Sequence, residues 1–206
     1  MDTFNRKEHW ENIYSTKQLN EVSWYQPTPT TSLNLIEELN IPKTASIIDI
    51  GGGDSFLVDN LLKLGYENIT VLDISIKAIE RAKKRLGKQS ENVKWIEADA
   101  SNFNPKASYD LWHDRAAFHF LTDDKDIENY LKAAQRGIKP SGSLIIGTFS
   151  TEGPKKCSGI DIKQYSEDSL NHIFKDTFSK IDCKTIEHQT PFSTTQSFTF
   201  CKFKKA

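Results

Sequence analysis

The sequence predicts a doubly wound α/β fold: a mostly parallel sheet that closes in an antiparallel hairpin. Three observations carry this reading. From Ser46 to Ser150, short apolar runs alternate with amphipathic segments, the pattern of a parallel sheet with helices on both faces. The first run, "SIIDI", holds Ile47, Ile48 and Ile50; these cannot all face one side, which places the strand centrally, covered on both faces. Near the end the rhythm breaks. "FSKIDCKTIEH" and "QSFTFCKFK" follow one another with only the turn-like "QTPFSTT" between them, and two such runs form a hairpin.

Each element has its own signal. Residues 4–15 read as a helix, and "PTPTTSLNLIEELN" leads into a second. After the strand at Ser46–Ile50, residues 54–64 form a helix with Leu57, Leu61 and Leu64 on one side, stopped by Gly65. "NITVLD" is the second strand. "SIKAIERAKKRLG" is a helix with the stripe Ile79, Ala82 and Leu86, ended by Gly87. "NVKWIEAD" and "YDLWHD" are the third and fourth strands. Residues 124–136 carry the apolar face Ile127, Tyr130, Leu131 and Ala134, and Gly137 ends that helix. "SGSLIIGTFS" is the fifth strand, and "SEDSLNHIFKD" the helix before the hairpin.

Composition bounds what such a chain does. Its 206 residues suit one domain, 1–206, with a sizeable core. A net charge of −1, from 27 Lys+Arg against 28 Asp+Glu, gives no overall electrostatic footprint for nucleic acid. The start "MDTFNRKEHWENIY" lacks a secretory pattern, and no apolar run is long enough to span a membrane. Cys157, Cys183 and Cys201 are odd in number and far apart; they fit a reducing, cytoplasmic setting and give no zinc spacing. No metal is expected: His119, Cys157 and His188 have no ligand spacing.

The loop "IGGGDSF" after the first strand poses the functional question. A Walker phosphate loop needs Lys-Ser or Lys-Thr after its glycines; here Asp54, Ser55 and Phe56 follow Gly53. A dinucleotide loop needs a third small glycine where Phe56 stands. Asp49 and Asp54 are poor company for a pyrophosphate, and a ligand carrying positive charge suits the loop better.

"IIDIGGGDSF" resembles the first motif of class I S-adenosylmethionine-dependent methyltransferases, with Ser55 in place of the last glycine. "VLDIS" puts Asp73 20 residues after Gly53, and "IEADASNF" puts Asp99 at the end of the third strand. The resemblance covers about residues 46–204 and implies a Rossmann-like, seven-stranded sheet that binds S-adenosyl-L-methionine. It places Gly51, Gly52 and Gly53 against the methionine part, Asp73 with Ile74 at the ribose, and Asp99 with Ala100 at the adenine. Asp49 acts at the amino acid end or hydrogen-bonds the loop. Asp73 and Asp99 have competing readings as a helix cap and a turn residue.

Segments before the first strand often roof the cofactor in this family. Residues 1–40 are therefore read as a lid or cap on the 46–206 core. Trp10, Tyr14, Trp24 and Tyr25 supply aromatic faces suited to a sulfonium, or else dock a helix by packing. "DRAAFHFL" resembles a group of small bacterial methyltransferases and borders the methyl group in the family. There Asp114, His119 and, from the roof, Tyr14 are candidate catalytic groups; His119 is either a base or a packed histidine. Arg115 either clamps a carboxylate acceptor or pairs Asp110 or Asp114. The Asn/Asp-Pro-Pro-aromatic motif of DNA amino-methyltransferases is missing, so DNA is not the expected acceptor. A small molecule is the expected partner. The alternatives are a protein lysine or a non-catalytic nucleotide-binding or partner module; the oligomeric state has no signal.

Overall fold

A computed structural model describes residues 4–206; residues 1–3 of the expected lid lie outside them. Strands β1 (Ser46–Ile50), β2 (Asn68–Asp73), β3 (Val93–Glu97), β4 (Tyr109–Arg115), β5 (Ile138–Phe149), β6 (Phe178–Gln189) and β7 (Thr195–Lys205) form one sheet. Its order is β3-β2-β1-β4-β5-β7-β6. β1 to β5 pair in parallel, and β7 runs antiparallel between β5 and β6. This is the doubly wound, Rossmann-like, seven-stranded sheet with its terminal hairpin.

β1 is central, and the two faces of the sheet take alternate residues. Ile48 and Ile50 pack with Trp112, Phe118, Tyr130 and Phe174 on one side. Ile47 packs with Leu61, Val71, Leu111 and Phe200 on the other. The helices are α1 (Arg6–Thr16), α2 (Thr30–Glu38), α3 (Leu57–Lys63), α4 (Ile76–Leu86), α5 (Asp124–Gly137) and α6 (Glu167–Phe174). The stripes Ile79, Ala82, Leu86 and Ile127, Tyr130, Ala134 are buried, as their spacing predicts.

Four details differ from the sequence reading. α3 starts at Leu57, because Ser55 Oγ accepts the Leu57 N–H at 3.1 Å while Asp54 is tied to Arg81 and Arg85. Leu64 is exposed at the α3 C-cap rather than on its buried side. β5 begins at Ile138, directly after α5, with a register shift against β4 between Tyr109 and Leu111. A small hairpin, Lys156–Cys157 with Ile160–Asp161, lies in the long loop after β5.

The antiparallel register sets Cys183 opposite Cys201, where they form a disulfide; Cys157 is a free, buried thiol. Distance along the chain thus misread two of the three cysteines, and the disulfide removes their support for a reducing compartment. β6 is an outer strand of the sheet, with a register shift between Lys180 and Asp182. Among the described residues no helix is long and apolar enough to cross a membrane, and no three His, Cys, Asp or Glu side chains gather as metal ligands.

Candidate active site

The carboxyl ends of β1, β2, β3 and β4 converge on one cavity, where open α/β sheets bind ligands. Its floor is the glycine loop. Gly51 has φ +66°, and a Cβ there would strike Ala117 at 2.6 Å. A Cβ on Gly52 would collide with the Asp49 carboxylate. Only glycine leaves the cradle open. Gly53 lies behind the floor, with Asp73 and Ala78 filling the space a side chain would need.

Asp49 anchors a buried chain. Its Oδ1 is 2.7 Å from His113 Nδ1, and His113 Nε2 is 2.9 Å from Ser32 Oγ on α2. The carboxylate fixes the Nδ1–H tautomer, so Nε2 accepts the Ser32 hydroxyl. Asp49 thus lines the cavity and is held by β4, with no hydrogen bond to the glycine loop among the described residues. The sequence drew no attention to His113 or Ser32, because a β4 strand residue and a helix residue 81 positions away carry no joint pattern.

Asp73 is 4% exposed at the end of β2. Its Oδ1 accepts the Ser75 N–H at 2.8 Å, while Oδ2 lies beside Gly53. Burial pushes its pKa up to about 7, with the charges of Asp49 and Glu11 adding, against the opposing Ser75 N–H. A buried carboxylate so short of donors fits hydroxyls brought by a ligand. Ser75, not Asp73, caps α4 by accepting the Ala78 N–H.

Asp99 follows β3. It accepts Ser101 N–H at 2.9 Å and Ser101 O–H at 2.8 Å, the turn role, and also Arg6 Nη1 at 2.9 Å. Arg6 bridges onward to Asp126. Ile74, Asp99 and Ala100 line the cavity.

α1 closes the top. Glu11 accepts the Ile76 N–H at 2.8 Å and the Ser75 O–H at 3.0 Å, capping α4 from outside. Arg81 of α4 donates back to the Lys17 carbonyl at 2.8 Å. The segment after α1 is held from the hairpin: His188 Nε2 donates to the Ser23 carbonyl at 2.7 Å, and Nδ1 takes the Gln26 amide at 3.0 Å. Trp10 meets Trp24 edge-on at 5.7 Å and Phe120 at 4.9 Å. Trp10, Tyr14 and Trp24 face the cavity, whereas Tyr25 packs on Phe56 instead. Sequence reasoning found the aromatics and missed Arg6 and Glu11, which have no partner nearby in the chain.

The three candidate catalytic groups separate. Tyr14 lines the cavity; burial, then the charge of Asp73, raises its pKa, so it is a phenol and a hydrogen-bond donor. Asp114 lies behind the wall, accepting the Tyr130 O–H at 2.7 Å and the N–H groups of Ala117 and Phe118 at 3.0 and 3.1 Å. Burial raises its pKa to about 6. Its position corrects the catalytic reading: it shapes the turn after β4.

His119 is likewise corrected. It is wholly buried, outside the cavity lining, and packed against Phe120 at 4.6 Å and Phe149 at 4.7 Å. Nδ1 accepts the Phe149 N–H at 3.2 Å. Burial, reinforced by the charge of Arg115, lowers its pKa to about 3. His119→Ala is expected to cost about 2–5 kcal/mol through a core cavity, lowering Tm by roughly 5–15 °C. Turnover per folded molecule should stay within about threefold, far from the ~100-fold loss expected of a missing base. Melting and rate measured on one sample check this; a stable variant with a 100-fold slower rate would return His119 to the site.

Residues 47–142 match the methyltransferase domain family. A malonyl-[acyl-carrier protein] O-methyltransferase of Ilyobacter polytropus is 31% identical over 111 residues, 53% of this chain and 40% of that protein. Human EEF1A lysine methyltransferase 2 is 26% identical over 155 residues, 68% of this chain and 66% of that protein. The chain therefore spans less than two thirds of the length of these curated relatives. Among solved structures, 1,6-didemethyltoxoflavin-N1-methyltransferase of Burkholderia thailandensis, with bound 1,6-didemethyltoxoflavin and S-adenosylhomocysteine, superposes with a TM-score of 0.72. It is 16% identical and covers 97% of this chain and 84% of that one. Sheet order and glycine cradle agree with that match: residues 47–142 are similar to a methyltransferase domain and lie within a Rossmann-like fold.

Proposed function

We propose that this protein transfers a methyl group from S-adenosyl-L-methionine to a nucleophilic small molecule. The observation that carries the reading is one roofed cavity joining the Gly51–Gly52 cradle, Asp73 and Asp99 to an aromatic chamber beneath Trp10 and Trp24. Asp73 holds the ribose hydroxyls, Asp99 and Ala100 border the adenine, and the cradle admits the methionine part. The cofactor supplies a sulfonium whose methyl is already a good electrophile. The protein's share is placement and exclusion of water. Roof aromatics present π faces to the positive charge, and Tyr14 donates from above.

Calorimetry should show S-adenosylmethionine and S-adenosylhomocysteine binding, with NAD and ATP far weaker. NAD binding more tightly would refute the cofactor assignment. Transfer to a protein lysine is the second reading, favoured by the similarity to the human lysine methyltransferase. Labelled cofactor incubated with separated small-molecule and protein fractions of an extract decides between them. Binding without transfer to either fraction identifies a non-catalytic module.

The state of Asp73 adds a pH signature. Its free-site pKa is about 7, and donors on a ligand favour the carboxylate. Binding below that pH therefore releases a proton and costs affinity. S-adenosylhomocysteine affinity should be level above pH 8 and weaken about tenfold from pH 8 to pH 6. Calorimetry in buffers of different ionisation enthalpy checks the proton count; proton uptake, or a flat profile, contradicts it.

A further inference from the structure

Arg115 ends β4 and projects into the cavity on the hairpin side. Among the described residues it has no acidic partner. Asp110 pairs with Lys139 and Asp114 with Tyr130, while the Asp49 carboxylate, hydrogen-bonded to His113, acts on Arg115 only through its charge and forms no ion pair with it. Its guanidinium makes two hydrogen bonds, at 3.2 and 3.3 Å, both to the single carbonyl of Trp24, and lies 5.6 Å over the Phe198 ring. Enclosure lowers its pKa to about 10, yet at neutral pH it remains a cation. The guanidinium is half-buried on the cavity wall, and most of its fork is left for an anion brought by a ligand.

The surroundings narrow the ligand further. Phe120, Phe149 and Phe198 wall the chamber with flat apolar faces. Cys157 and Ser23 also line this chamber, but Gln196 is the group left open: its Oε1 is buried and accepts no hydrogen bond among the described residues. A ring fits the walls, a carboxylate fits the fork, and a hydroxyl or amine donor fits Gln196.

We propose that Arg115 anchors the carboxylate of the methyl acceptor, making the acceptor a small aromatic acid that also carries a hydroxyl or amine. This deepens the methyltransferase reading and rests on it. The carboxylate of the cofactor's own methionine part is the other source of the same chemistry, since the cradle opens into the same cavity. Binding measurements tell the two apart without any turnover.

The probes are 3-hydroxybenzoate, 4-hydroxybenzoate, anthranilate and indole-3-carboxylate, each beside its neutral carboxamide. They are titrated by calorimetry or ligand-observed NMR into protein saturated with S-adenosylhomocysteine. At least one acid should bind tenfold or more tightly than its amide. In Arg115→Gln that preference should vanish while S-adenosylhomocysteine affinity stays within about threefold. Arg115→Lys, which keeps the charge but not the fork, should retain part of the preference. Melting curves and retained S-adenosylhomocysteine binding report that both variants fold.

Equal binding of acids and amides, or no binding by any acid, overturns the proposal. So does a tenfold or greater loss of S-adenosylhomocysteine affinity in folded Arg115→Gln, which would assign the fork to the cofactor's carboxylate. Failure of wild-type protein to bind S-adenosylhomocysteine at all would refute the underlying methyltransferase reading instead.

Discussion

Asp73→Ala is expected to weaken S-adenosylhomocysteine binding by about 1.5–3 kcal/mol, roughly 10- to 150-fold in Kd. Both oxygens matter. Oδ1 accepts the Ser75 N–H and so fixes the carboxylate at the β2 end, while Oδ2 lies beside Gly53. Alanine removes the acceptors for two hydroxyls and strands the Ser75 N–H. The sheet should survive, because Ser75 still caps α4. Asp73→Asn keeps the shape and one acceptor, so it should fall between wild type and alanine. It should also flatten the affinity between pH 8 and pH 6, since the titrating group is gone. Calorimetry on folded variants checks both. Unchanged affinity in Asp73→Ala would show that this carboxylate does not hold the ribose.

Removal of residues 1–27 is expected to abolish transfer while leaving the sheet folded. The deleted segment carries Trp10, Tyr14 and Trp24, which roof the cavity, and Arg6 and Glu11, which fasten it to Asp99 and the α4 N-terminus. None of these residues pairs in the sheet. The loss would open the chamber to water and leave Phe120 uncovered. A gentler version is Glu11→Ala, which removes the outer cap of α4 at about 1 kcal/mol and should weaken S-adenosylhomocysteine binding about fivefold. Circular dichroism and labelled methyl transfer on the truncated protein decide the matter; transfer at the full rate would rule out a roof role.

Much of this architecture was legible because it rests on local periodicity. β1 reads as central since three isoleucines in five residues cannot share a face, and both faces are in fact covered. Asp73 and Asp99 stood out through the resemblance of their motifs, and both line the cavity. The Asp49–His113–Ser32 chain and the Arg6–Asp99 pair were not legible, because each joins elements tens of residues apart in the chain. His119 shows the opposite error. Its position in "FHF" beside the expected methyl end was right along the chain, but the 3₁₀ turn Phe118–Phe120 turns its ring toward Phe149 and away from the cavity. Spacing along the chain left both a base and a packed histidine open, because it does not fix which way a side chain leaves a tight turn. Arg115 was left between two roles; Asp110 and Asp114 are each held elsewhere, and the carboxylate role stands as a proposal.

The outer position of β6 has a consequence for how copies of this protein meet. An open strand of twelve residues offers its unpaired N–H and C=O groups as a template for a stranger's backbone. Here the register shift at Lys180–Asp182 bends that template, and lysines 180 and 184 are held at it by Glu167 and Glu38. An incoming strand would have to desolvate those charges and follow the bend. Only Ile181, exposed at the bend itself, offers apolar surface among the large side chains of β6. The hairpin that completes the fold thereby also carries, on its own rim, the features that make it a poor template for a further strand.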